Sequence, residues 1–188
     1  MKFIKFLASV VLIIVTVIIT LFVKDKIEKQ TYKLTYETLI KKYSQEYDLD
    51  PYLVAAVIHV ESGNRKDVAS NKGAIGLMQI MPETGEWIAG KLKRGFSIDY
   101  LKDPETNIEF GCWYLRFLCD RFSEMDTVIA AYNAGHNKVA KWLDDSQYSD
   151  DGASLATIPI VEAKQYVQKV VKANEKYKKI YPKAFELR

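Results

Sequence analysis

Glu61 closes the apolar run 51–60. A turn-rich segment follows it, carrying Ser70 and then Gly76-Leu77-Met78-Gln79-Ile80-Met81-Pro82. A carboxyl group held beside an apolar wall stays protonated near neutral pH, because burial disfavours its charged form. It can then give a proton to a leaving oxygen. Gln79 offers donors and acceptors of the kind that sugar hydroxyls and acetamido groups use, and Gly73 and Gly76 allow backbone to approach a ligand closely. Farther on, Ala130-Ala131-Tyr132-Asn133-Ala134-Gly135 adds a phenol and an amide on a scaffold of small residues. This chemistry points to glycan cleavage. Tyr132 is open to a core reading as well as a site reading. Met78 and Met81 either fill the core, the usual use of methionine, or line a sugar ring. His59 is read as a packing or rim residue.

The elements that must hold these groups are helical. Leu39, Ile40, Tyr43 and Tyr47 recur at helical spacing over residues 36–47. Asp50-Pro51 supplies an N-cap and a proline at the first helical position, and the helix it opens runs to Glu61 and is apolar nearly all round. Such a helix is the buried centre of its domain, so it carries Glu61 into the interior. Gly63 and Asn64 are expected to end it. Pro82 with Glu83 opens a helix over Glu86–Ala89, and Asp103-Pro104 opens a long one over Asn107–Phe122, with Phe110, Trp113, Tyr114, Phe117 and Leu118 on its apolar side. Helices are also expected over Thr127–Tyr132 and Lys138–Leu143, and Pro159 is expected to open a last helix through Tyr166, Val167, Val170 and Val171. No alternating pattern exceeds about four residues, so any sheet is at most a minor hairpin.

Phe6–Val23 is 18 residues without a charge, glycine or proline. As a helix it reaches about 27 Å, roughly the hydrocarbon thickness of a bilayer. Lys2 and Lys5 precede it, as a cytoplasmic N-terminus requires. No small-residue cleavage site follows Val23, so an uncleaved anchor is favoured over a cleaved signal peptide. The expected organisation is a cytoplasmic tip and transmembrane anchor over 1–23, a polar juxtamembrane stalk over 24–35, and one extracytoplasmic domain over 36–188. The chain's formal charge is +3. Setting Lys2 and Lys5 aside leaves +1, which argues against a nucleic-acid partner, since that would need a concentrated basic face. Cys112 and Cys119 lie seven residues apart on one helix, about 10 Å between Cα atoms, which is beyond disulfide reach. They are read as two buried thiols, and no metal ligands accompany them. Two histidines and no glycine-rich phosphate loop give no support to a metal or nucleotide cofactor.

Glu61-Ser62, Gly76-Leu77-Met78-Gln79, Ala131-Tyr132-Asn133-Ala134-Gly135 and the late Pro159…Glu162…Tyr166-Val167 together resemble, in order and spacing, the motifs of the soluble-lytic-transglycosylase (SLT) domain. This is the goose-type-lysozyme branch of the lysozyme superfamily. The resemblance covers about residues 36–181. It implies a mainly α, lysozyme-like domain with a glycan-binding cleft, preceded here by one transmembrane helix. It also implies a peptidoglycan substrate cut at the β-1,4 bond between N-acetylmuramic acid and N-acetylglucosamine. By the same resemblance, Glu61 matches the single catalytic acid/base, and Ser70 matches a serine near it and the muramic acetamido group. Gln79 and Met81 match residues lining the sugar subsites, and Tyr132 matches a tyrosine facing the reacting centre. Glu162 matches a glutamate at the cleft edge that holds sugar or bonds to the tyrosine region. Asn133 matches the motif and either braces the loop or touches glycan. The family's bulky residue shortly after Glu-Ser is absent, since Gly63-Asn64-Arg65 stands there.

Glycosidases ordinarily use two carboxylates at set separations, and the sequence offers one strong candidate. One suffices if the nucleophile belongs to the substrate, so the expected reaction is lytic transglycosylation with 1,6-anhydro-muramic ends. The alternatives are a goose-type lysozyme-like hydrolase acting on the same bond and a non-catalytic peptidoglycan-binding scaffold. The expected protein is a monomer held at the cell membrane with its domain on the wall side. A wall-synthesis or secretion complex is the expected kind of protein partner.

Overall fold

The computed structural model describes residues 2–186. Met1, Leu187 and Arg188, the outermost residues of the expected anchor and domain, lie outside the described residues. The chain divides into two units at Lys33–Leu34.

The first unit is one helix, α1 (Lys2–Thr31). Within Phe3–Thr31 an 18-residue window has a mean hydropathy of 3.1 and is not buried, so the helix is long and apolar enough to cross a membrane. The helix continues through the polar residues of the expected stalk to Thr31. These residues are compatible with a helix: Lys29 Nζ lies 2.9 Å from Asp25 Oδ2, one turn earlier.

The second unit is built from α2 (Glu37–Glu46), α3 (Pro51–Ser62), α4 (Pro82–Lys91), a 3₁₀ turn (Ile98–Lys102), α5 (Pro104–Arg121), α6 (Met125–Ala134), α7 (His136–Leu143) and α8 (Val161–Ile180). Among the described residues there is no strand. The β pairings among them are isolated bridges, Ala69 with Ile75 and Ile75 with Ile80.

The centre is α3. The Asp50 carboxylate accepts the Tyr52 N–H at 2.9 Å as N-cap, Pro51 takes the first helical position, and Leu53 to Ile58 are all buried. α8 lies along α3 and α6, and it presents Ala163, Tyr166, Val167, Val170, Ala173 and Tyr177 as a buried stripe at three- and four-residue spacing. α2 packs on α3 and α5, and α6 joins α5, α7 and α8. Burying this much aliphatic surface, at about 25 cal/mol per Å², is what fixes the position of the end of α3.

One expected boundary moves, and one element is new. The last helix starts at Val161, with extended Ile160 as N-cap, so Pro159 lies in the incoming segment instead of the first turn. The 3₁₀ turn, which has no strong periodicity, went unpredicted. Cys112 is buried as expected, but Cys119 is only half-buried near the exposed end of α5. Both are free thiols.

Candidate active site

Glu61 is the penultimate residue of α3. Gly63 stops the helix there in the left-handed region (φ 60°), with its N–H returned to the His59 carbonyl at 3.0 Å. The helix end therefore emerges from the core with the carboxyl only partly exposed. Glu61 Oε1 accepts a 2.6 Å hydrogen bond from the Tyr166 hydroxyl of α8. Burial pushes the Glu61 carboxyl up to about 7, against the smaller opposing effect of the Tyr166 hydrogen bond, which favours the ionised form. No neighbouring charge among the described residues contributes to that shift. Burial first, and then the Glu61 charge, hold Tyr132 and Tyr166 well above the usual phenol range, so both remain protonated donors.

The segment between α3 and α4 is fixed by backbone and by one buried amide. Ile75 and Ile80 exchange N–H···O bonds at 3.0 Å, and the Gly76 N–H reaches the Val68 carbonyl at 2.9 Å. Asn107 of α5 is fully buried. Its Nδ2 donates to the carbonyls of Ile75 (2.9 Å) and Leu101 (2.8 Å), while its Oδ1 accepts the Met78 N–H at 2.8 Å. Gly76, at φ 82°, sits where any Cβ would collide with the Asn107 amide and the Leu101 carbonyl, so only glycine fits. The buried polar groups of this loop are thus satisfied from a rigid helix.

A cavity of about 230 Å³ opens above this loop, and Gln79, Met81, Tyr132 and Asn133 all line it, together with Thr84, Tyr114 and Gly135. The Tyr132 hydroxyl donates to the Met78 carbonyl at 2.8 Å. Met78 itself is fully buried core, while Met81 borders the cavity. Gln79 adopts φ 48°, and its Nε2 donates inward to the Val68 (3.1 Å) and Gly76 (2.9 Å) carbonyls. Its amide nitrogen therefore braces the loop, and Oε1 remains for a ligand.

Ser70 and Glu162 are not on that cavity. Ser70 Oγ accepts the Ala74 N–H at 3.0 Å, which leaves its hydroxyl proton to donate. Glu162 is exposed in the first turn of α8, and Lys72, two residues from Ser70, approaches it at 3.7 Å. Glu61 is linked to both sides: its charge acts on Tyr132 in the cavity wall, and its hydrogen bond goes to Tyr166, one turn beyond Glu162. His59 packs edge-on against Tyr177, in keeping with a packing role. A larger cavity of about 500 Å³, between the C-terminal ends of α5 and α7 and the loop at Gly152, holds none of the candidate residues. Among the described residues no group of His, Cys, Asp and Glu side chains is placed to hold a metal ion.

Tyr166 is the contact that sequence reasoning missed. The sequence places it in the last helix and in the late motif that resembles the SLT domain, but gives it no role. The available signal was its place four residues after Glu162, on the same face of α8.

Residues 38–154 match the family model described as the transglycosylase SLT domain. The chain belongs to this family. The soluble lytic murein transglycosylase of Escherichia coli is 35% identical over 162 residues, covering 82% of this chain and 24% of that protein. The membrane-bound lytic murein transglycosylase C of Actinobacillus pleuropneumoniae is 34% identical over 169 residues, covering 76% of this chain and 45% of its own length. The crystal structure of the 70 kDa soluble lytic transglycosylase from Escherichia coli matches with a TM-score of 0.73 at 30% identity, over 84% of this chain and 26% of that one. An inactive glutamate-to-glutamine mutant of the lytic transglycosylase Slt from Pseudomonas aeruginosa matches with a TM-score of 0.70 at 30% identity, over 79% and 24%. The SLT domain here has the mainly α, lysozyme-like architecture of these enzymes. The chain spans about a quarter of the length of the soluble relatives and under half that of the membrane-bound one.

Proposed function

We propose that this SLT-domain protein is a peptidoglycan lytic transglycosylase, membrane-anchored by α1, with Glu61 as its acid and then its base. The observation that carries this reading is a single carboxyl group, raised to about 7 by burial, hydrogen-bonded to a tyrosine and perturbed by no second carboxylate. Asp67, the acid nearest in sequence, is exposed.

Protonated Glu61 gives its proton to the oxygen bridging N-acetylmuramic acid and N-acetylglucosamine as the C1–O bond breaks. The muramic N-acetyl oxygen, oriented by the Ser70 hydroxyl, bonds to C1 and takes up the positive charge. Glu61, now ionised and stabilised by Tyr166, removes the proton from the muramic C6 hydroxyl. The C6 oxygen displaces the N-acetyl oxygen at C1, leaving a 1,6-anhydro ring and a reprotonated Glu61. Water is neither consumed nor released. The acid–base cycle contributes about 10²–10⁴-fold in rate. Gln79, Met81, Tyr132 and Asn133 line the sugar site, and Glu162 stands at its edge. The inactivity of the glutamate-to-glutamine mutant of the Pseudomonas Slt agrees with dependence on one such carboxyl.

The apolar α1 and the membrane-bound relatives suggest membrane association. We extend this to a single pass with residues 36–186 on the wall side, where the substrate lies. Mass spectrometry of sacculi digested by the detergent-solubilised full chain tests the chemistry. Muropeptides ending in anhydro-muramic acid are expected, whereas reducing muramic ends, heavier by one water, would assign a hydrolase instead.

A further inference from the structure

On each of three elements, the residue next along from a cavity-lining residue is an aromatic that stays half-buried. Trp87 follows Thr84 by one turn on α4, Phe117 follows Tyr114 by one turn on α5, and His136 directly follows Gly135. Trp113 completes the group. Its indole and the Phe117 ring are nearly parallel (5°, centroids 5.9 Å), and Trp87 meets both edge-on at 5.1 and 5.0 Å. His136 lies parallel to Trp87 within 22°. The rings continue inward to the site: Phe117 stacks on Tyr114 at 6.0 Å, and Tyr114 meets Tyr132 at 5.5 Å with the rings tilted by 55°. Neighbouring aliphatic residues on the same helices, Ile88, Leu115 and Leu118, are fully buried. The aromatic rings are therefore not simply the inner faces of α4 and α5.

We propose that Trp87, Trp113, Phe117 and His136 form an outer saccharide subsite on which a glycan strand lies as it leaves the cavity lined by Gln79 and Tyr132. A half-buried ring surface joined to a polar cavity is how extended ligands gain contact beyond a reacting centre. Pyranose rings present C–H faces that pack on indole and phenyl, and their equatorial hydroxyls stay in water. Burial and the nearby Arg121 charge hold the His136 imidazole below its usual range, so the surface is uncharged at neutral pH and suits a neutral sugar face.

This subsite rests on the glycan-cleaving reading above, and the test separates the two. The full-length Glu61→Gln protein in detergent is titrated with N-acetylglucosamine oligomers of increasing length, followed by calorimetry and by tryptophan emission. Two of the three tryptophans belong to the platform, and the third, Trp142, is buried on α7. Long oligomers should bind about tenfold tighter than the shortest binder and shift the emission. Trp113→Ala in the same background should remove the length gain. Binding that is independent of length, with unchanged emission, overturns the platform and leaves the cavity reading standing. Failure of every oligomer to bind overturns both.

Discussion

Two glutamates of this domain each accept a tyrosine hydroxyl, and they behave in opposite ways. Glu61 takes the Tyr166 hydroxyl at 2.6 Å and is raised to about 7. Glu105, at the exposed seam of α2 and α5, takes the Tyr43 hydroxyl at 3.0 Å together with the Lys42 ammonium at 2.7 Å, and is held below the usual carboxylate range. A phenol donor favours ionisation in both places, so it cannot be what sets the direction. The seam supplies a cation and water. The end of α3 supplies no cation and much less water, because the apolar helix has carried the carboxyl largely into the interior. The raised Glu61 carboxyl follows from where a helix stops.

The largest effect expected is on Glu61 itself. Glu61→Gln keeps the shape and the Tyr166 contact but has no proton to give, so sacculus digestion should fall by about 10²–10⁴-fold. Glu105→Gln should leave the rate and its pH dependence as they are. Near-normal digestion by Glu61→Gln would break the comparison.

Next in size is a stability effect with a defined sign. The folded-state value of Glu61 lies above its unfolded one. Its contribution is therefore fully present below the unfolded value of 4.5 and is lost as pH rises through about 7. Glu61→Gln does not titrate, so it should match the wild type near pH 4 and exceed it by about 3 kcal/mol well above pH 7 in denaturant unfolding. A constant difference across that range would mean that the carboxyl is not forced into an unfavourable setting.

Smaller again is Tyr166→Phe. Removing the donor destabilises the ionised form, so Glu61 should titrate above its present value. The alkaline limb of kcat/KM should move upward, with an activity loss of about tenfold from the weakened base step. A downward shift would contradict the role given to the hydroxyl.

Much of this was legible in the sequence, and the reasons are local. Asp50-Pro51 and Gly63 define α3 through cap and turn chemistry that needs no tertiary information. The unbroken apolar run between them implies burial, and with it a raised carboxyl. Gln79 was legible as a candidate site residue, but its left-handed backbone and inward amide were not. Those depend on the Val68 and Gly76 carbonyls, which the chain fold brings into reach. Tyr166 was hidden because a tyrosine in an aliphatic stripe looks the same whether its hydroxyl meets solvent or a carboxyl 105 residues away. Pro159 misled by two residues, since proline is as much at home in the extended approach to a helix as in its first turn.

The most direct measurement is carboxyl-detected NMR of the full chain in micelles, with glutamates labelled at the side-chain carbon and the Glu61 resonance assigned by its loss in Glu61→Gln. Glu61 should titrate near 7, while Glu105 in the same spectra titrates below 4.5. A Glu61 midpoint at the ordinary value would show an ionised group at neutral pH, and with it no acid to begin the reaction.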